Sequence, residues 1–214
     1  MNDPTTYVTV LRILALVICL TIHEFSHAYS AYRAGDDTAR AHGRLSLNPL
    51  DHLDPLGTIF MVLAAIQGFG IGWAKPVPVN PNNFKHPRWD NLRVSLWGPL
   101  SNLITAAVVG TIIRFSGPHF LLSNVGLFLE VLVLVNISLA VFNLIPIAPL
   151  DGSHIMSSLL PHEMARRYDQ VMGRWGMLIF IGLIVLGSRG SGFDVLGMIL
   201  FPPMRFFFHL FTGG

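Results

Sequence analysis

Charge is what this sequence has least of. Only 12% of its 214 residues are Asp, Glu, Lys or Arg, about half the share of an ordinary soluble domain. Charges this sparse, scattered among runs such as VLVLVNISLAVF, cannot cover a water-facing surface. That excludes an ordinary soluble domain and makes the bilayer the solvent. Cysteine is nearly missing as well. Cys19 stands alone, so no disulfide forms within the chain and folding does not rest on an oxidising compartment. The 14 basic and 12 acidic residues leave a net charge of +2, too small to suggest nucleic-acid binding. No Lys or Arg precedes Arg12, and the first apolar run leads straight into histidines, which argues against a cleaved signal peptide. What is present is a hydrophobic share of 52%, a mean hydropathy of +0.56, and nine histidines. So many imidazoles in so apolar a chain point to chemistry.

A helix crosses about 30 Å of hydrocarbon with about 20 residues. Candidate spans cover residues 7–32, 56–73, 94–115, 125–145, 176–187 and 193–211. The second is short and glycine-rich (QGFGIGW), the fifth is brief unless Met172 and Trp175 extend it, and Pro202 and Pro203 break the sixth. The expected fold is an all-α integral membrane protein of about five to six transmembrane helices, with one re-entrant or short segment and a small extended loop element. It forms one membrane-embedded domain over residues 1–214, with a core at 7–160 and C-terminal helices at 161–214. The extended element is KPVPVNPNNF, where Pro76, Pro78 and Pro81 remove amide donors and discourage helix before them. It reads either as a rigid loop or as an edge able to pair with an extended substrate.

At the end of the first span stands His23-Glu24-Phe25-Ser26-His27. Helical residues four apart differ by about 40° in azimuth and about 6 Å in height, so both imidazoles can serve one metal while Glu24 lies on the adjacent flank. Zinc hydrolysis needs this set: two neutral nitrogen ligands, and a carboxylate that takes a proton from water without itself binding the metal. The alternative, a histidine pair capping the span at the interface, leaves three ionisable side chains in an apolar helix without a purpose. A third ligand is still required. Asp151 is the best candidate, because it follows the break at Pro146 and Pro149 in otherwise apolar surroundings. An N-cap role at the start of the next helix is its ordinary alternative.

HEFSH in a span, GPLSN (98–102) opening another and NLIPIAPLDG (143–152) closing a third together resemble the site-2 protease family of intramembrane zinc metalloproteases. The resemblance covers residues 7 to 160, with all three motifs in the family's order. It implies that His23, His27 and Asp151 bind one Zn2+, that Glu24 is the general base, and that this is a minimal, core-only member without a regulatory module. Where the family often has a second proline, this chain has Ala148.

Metal ligands must meet at one depth, which turns topology into a parity argument. If residues 56–73 crossed fully, Asp151 would emerge on the face opposite His27. If they dip in and return, the faces agree, and Arg33, Arg40, Arg44, Lys75, Lys85, Arg88, Arg93, Arg166, Arg167 and Arg174 fall on one side, leaving Arg114 and Arg189 on the other. Positive loops stay inside. The expectation is a protein of the cell membrane with an outside N-terminus, its active site toward the cytoplasm and residues 56–73 re-entrant.

Asn102 and Asn143 flank the motifs and are candidate donors to the oxyanion of a scissile carbonyl. Asn136 reads as a helix-to-helix hydrogen bond and Cys19 as a small apolar filler. His154 is a candidate orienting group, and His52 or Asp54 could cap the mouth of the site. The function expected is hydrolysis of peptide bonds in membrane-spanning protein substrates within or beside the lipid bilayer, with no nucleic-acid partner. A polytopic metal transporter and a non-cleaving membrane-protein binding factor are the alternatives. The substrate and the oligomeric state are not legible in the sequence.

Overall fold

The computed structural model describes residues 4–67, 73–186 and 195–213. Its helices are α1 (Pro4–Arg33), α2 (Thr38–Ala41), α3 (Pro55–Gln67), α4 (Pro87–Phe115), α5 (Pro118–Leu121), α6 (Asn124–Asn143), α7 (Asp151–Leu159), α8 (His162–Leu186) and α9 (Val195–Thr212). Among the described residues the one β-type pairing is an isolated antiparallel bridge between Leu53 and Ala74. Among the described residues, four helices are long and apolar enough to cross a bilayer: Thr6–Arg33 within α1, then α4, α6 and α9.

Local chemistry sets the helix ends. Pro87 occupies the first turn of α4, and Asp90 reaches back to accept the His86 N–H at 2.8 Å. Ser123 caps α6 by accepting the Gly126 N–H at 3.0 Å. Packing then builds the bundle. Leu11, Ala15 and Cys19 of α1 form one buried cluster with Val131 and Leu132 of α6. Ala106 and Ile113 of α4 meet Val133, Ile137 and Val141 of α6 in another. Cys19 is thus the apolar filler its surroundings suggested.

Pro202 and Pro203 do not break α9, contrary to the sequence expectation. Two prolines remove two ladder hydrogen bonds, but Leu200, Met204, Phe207, Phe208 and Phe211 pack against the α4–α6 cluster on both sides of them. Tertiary burial offsets the local loss. Residues 176–186 of the fifth expected span lie inside α8, which begins earlier, at His162, and carries Glu163, Arg166, Arg167, Asp169 and Arg174 in its first half. α8 packs through Phe180 onto Ile145 and Leu150.

α3 has 13 residues, about 20 Å of helix, short for a full crossing. The glycine-rich residues 68–72 that follow lie outside the described residues, as do 187–194 and the start of the sixth expected span. The flanks of α3 meet one another. Lys75 N–H donates to His52 O at 2.8 Å beside the Leu53–Ala74 bridge. Trp73 lies so close to Gly57 that a Cβ there would sit 2.1 Å from the Trp73 carbonyl oxygen.

Residues 75–80 run without helix into a 3-10 turn at Pro81–Asn83. Asp36, fully buried just beyond α1, holds this stretch by accepting the Asn80 N–H at 2.7 Å and the Asn83 side-chain N–H at 2.8 Å. The Arg44 guanidinium donates to Lys75 O from the other side.

Candidate metal centre

His23 and His27 lie one turn apart near the end of α1, both buried, with ring centroids 4.6 Å apart and planes at 83°. They face α4 around Gly98, which makes room by lacking a side chain. A Cβ on Gly98 would fall 2.3 Å from His27 Nε2 and 2.7 Å from His23 Cε1. Asp151 arrives from the opposite side as the first residue of α7, directly after the turn that ends α6. That turn is tight at Gly152, where a Cβ would lie 2.3 Å from Ile145 O.

Each imidazole is oriented from behind. His23 Nδ1–H donates to Asn102 Oδ1 at 2.6 Å, and His27 Nδ1–H donates to the Val94 carbonyl at 2.7 Å. Both tautomers are thereby fixed with the Nε2 lone pair forward. Asp151 Oδ2 lies 3.1 Å from His23 Nε2 and 3.3 Å from His27 Nε2, and the two Nε2 atoms are 3.1 Å apart. For zinc bonds of about 2.0–2.1 Å in a tetrahedron, ligand atoms are separated by about 3.3 Å. The three atoms therefore match one tetrahedral face, with the fourth position left for water or substrate. The N-cap position of α7 is Leu150, so Asp151 is not the cap, and its side chain faces the imidazoles.

Glu24 stands outside this triangle. It is half-buried on the adjacent flank of α1, where Oε2 accepts the Val77 N–H at 3.1 Å. The carboxylate is thus anchored to the extended loop through one oxygen.

Asn102 is fully buried, and its amide is spent. Nδ2 donates to Cys19 O at 3.2 Å and to Asn136 Oδ1 at 2.9 Å, while Oδ1 accepts the His23 Nδ1–H. With both N–H groups committed, it is built to orient His23 rather than to meet an oxyanion. Asn136 bridges α6 to α4 as its apolar setting suggested. Asn143 closes α6, its Nδ2 donating to Leu139 O at 2.9 Å. His154 is exposed on α7, and the imidazoles it was a candidate to orient are held by Asn102 and Val94 instead. His52 is buried against Ser46 O at 2.7 Å, and Asp54 caps α3 by accepting the Gly57 N–H at 2.7 Å.

Sequence reasoning missed Arg88. Its Nε donates to Ser158 O at 2.7 Å and its Nη2 to Leu160 O at 2.6 Å, tying the end of α7 to the start of α4. Spacing gives no hint of a contact 70 residues away.

Comparison with known proteins agrees with this geometry. The model of peptidase family M50 matches residues 118–186, the segment that contains Asp151. YwhC of Bacillus subtilis (strain 168), named as a zinc metalloprotease, is 41% identical over 184 residues, covering 82% of this chain and 81% of its own. Rip2 of Mycolicibacterium smegmatis (strain ATCC 700084 / mc(2)155), named likewise, is 31% identical over 193 residues, covering 89% of this chain and 73% of its own. No solved structure matches the chain at a significant level. The chain belongs to peptidase family M50, the site-2 protease family.

Proposed function

We propose that this protein is a zinc metalloprotease that cuts membrane-spanning proteins near the cytoplasmic face of the cell membrane. The observation that carries the reading is the triangle of His23 Nε2, His27 Nε2 and Asp151 Oδ2, with Glu24 beside it but not in it.

In this reading His23, His27 and Asp151 hold the zinc. When bound, zinc acts as a Lewis acid toward the scissile carbonyl and makes water a nucleophile near neutral pH. Glu24 takes the proton of the attacking water on the oxygen not engaged by Val77 and passes it to the leaving amine nitrogen. Asn102 and the Val94 carbonyl keep both imidazoles from rotating as charge changes at the site. A helical substrate hides its carbonyls in its own hydrogen bonds and must unwind before attack. The extended residues 77–80, fixed to Glu24 and Asp36, provide an edge against which the unwound segment is held. Asn143, at the end of α6 near the Asp151 turn, is the remaining candidate donor to the substrate carbonyl.

A re-entrant course for residues 56–73 is supported by the shortness of α3 and by the contact between its flanks. The His27–Val94 hydrogen bond supports it too, since α4 begins at the end of the bundle where α1 finishes. The site then shares one face with the cationic loops, which stay cytoplasmic. A transporter would have no use for a carboxylate anchored beside the metal but outside its ligand set. The test is co-expression of wild type and Glu24→Gln with single-span membrane proteins. Fragments that appear with the wild type alone support proteolysis, and equal fragmentation with both contradicts it.

A further inference from the structure

Arg44 is only 5% exposed, yet its guanidinium is poorly provided for. Among the described residues it belongs to none of the ion pairs, and its Nε is buried without a hydrogen-bond partner. Its side-chain hydrogen bond there runs from Nη2 to Lys75 O. A charge buried on such terms costs stability, and an apolar side chain of similar volume serves a fold as well or better. Fold stability alone does not account for Arg44.

What Arg44 grips is the root of the arm that reaches Glu24. The Lys75 backbone is held from two sides, its O by Arg44 and its N–H by His52 O at 2.8 Å. His52 is fixed in turn, fully buried with Nε2–H donating to Ser46 O at 2.7 Å. Two residues beyond Lys75, the Val77 N–H donates to Glu24 Oε2 at 3.1 Å. Pro76 stands between them. Each peptide unit is planar and the proline ring fixes φ, so one soft torsion, Pro76 ψ, separates the plane Arg44 holds from the plane carrying the Val77 N–H. Any other residue at this position would leave two. Pro78 restricts Val77 to extended backbone from the far side. The grip at Lys75 is thus passed to the Glu24 carboxylate through a stiff arm.

We propose that Arg44 is a positioning residue for Glu24. Acting through the Lys75 carbonyl and Pro76, it sets the direction from which the Val77 N–H meets one carboxylate oxygen, and so the direction in which the other oxygen faces the attacking water. The inference rests on the proteolytic reading, in which Glu24 moves the proton. Among the described residues no hydrogen bond joins Arg44 to His23, His27 or Asp151. Loss of the guanidinium should therefore slow the chemical step and leave the metal in place. The extended edge stays fastened at its other end, where Asp36 holds the Asn80 N–H, so substrate binding should change little.

The test compares wild type, Arg44→Met and Pro76→Gly, with Arg40→Met as the control because it removes an exposed guanidinium nearby. Each full-length protein is assayed for zinc content, thermal midpoint, and kcat and KM on a membrane-spanning substrate. Arg44→Met and Pro76→Gly should keep one zinc per chain and a KM within about twofold, while kcat falls about tenfold or more. Arg44→Met should melt no lower than the wild type, since it removes a buried unpaired charge. Val77 lies between two prolines, which have no amide hydrogen, so its exchange is read apart from its neighbours. In Arg44→Met it should exchange about tenfold faster or more. Arg40→Met should match the wild type. Undiminished kcat in either variant, a raised KM in place of a lowered kcat, lost zinc, a melting point well below the wild type in Arg44→Met, or unchanged Val77 protection there would overturn the proposal. Wild type that cleaves nothing overturns the proteolytic reading and this inference with it. Wild type that cleaves while both variants keep pace overturns this inference alone.

Discussion

His23 and Asn102, 79 residues apart, share a 2.6 Å hydrogen bond in which the imidazole Nδ1–H donates to the amide oxygen. The amide is held by Cys19 O and Asn136, so a chain of buried polar contacts through α1, α4 and α6 ends at the Nδ1 of an imidazole whose Nε2 faces Asp151 and His27. Asn102→Leu keeps the volume and removes the acceptor. It should lower zinc affinity by roughly 10–100-fold, as read by chelator competition. Undiminished affinity would show that His23 does not need this partner.

Gly98 is a clearance, not a hinge. Gly98→Ala puts a methyl 2.3 Å from His27 Nε2, where no side chain fits unless an imidazole moves. The expected outcome is normal membrane insertion with loss of stoichiometric zinc and of activity by about 100-fold or more, since an ångström of misplacement can cost that much. Metal analysis of the purified variant checks it. Gly117→Ala, at a position with open space around it, is the control and should bind zinc normally.

Arg88 fixes the far end of the short helix that carries Asp151. Arg88→Ala should weaken zinc binding several-fold and raise proteolytic sensitivity around residues 158–162. Arg88→Lys should not restore either, because an ammonium cannot reproduce the two-pronged contact. Limited proteolysis alongside zinc titration separates a loosened α7 from a general loss of fold.

Asp36 governs the extended loop. Burial tends to raise its carboxyl, but the Thr38 hydroxyl, the Asn80 N–H, the Asn83 amide and the Thr38 N–H together hold it below the ordinary value. With a depressed folded value, its contribution is complete at pH above the ordinary carboxylate range and is lost as the pH falls through the folded value. Asp36→Ala should therefore expose residues 77–84 to protease at neutral pH, and the wild type should show the same exposure only in strong acid. Protection that persists in Asp36→Ala would remove Asp36 from this role.

The three side chains that meet at the candidate site were legible because their chemistry is local: two histidines a turn apart, and a carboxylate after a proline-broken span. The long apolar runs at α1, α4 and α6 were legible from composition alone. What escaped were relationships carried by packing across the chain. The continuity of α9 through Pro202 and Pro203 depends on aromatic side chains packed on α4 and α6, which no window of sequence contains. Asn102 looked like a free donor because an isolated amide has two N–H groups to offer, and only its neighbours reveal that both are taken. Arg88 was one cation among many until the end of α7 came to rest beside it.

The central claim is that His23, His27 and Asp151 jointly hold one zinc while Glu24 moves the proton. Its most direct measurement pairs zinc content with cleavage of a membrane-spanning substrate for the wild type, Glu24→Gln and Asp151→Ala, each purified from metal-replete cells. One zinc per chain in the wild type and in Glu24→Gln, cleavage by the wild type alone, and loss of both metal and cleavage in Asp151→Ala is the predicted result. Full zinc occupancy in Asp151→Ala, or wild-type cleavage by Glu24→Gln, would contradict it.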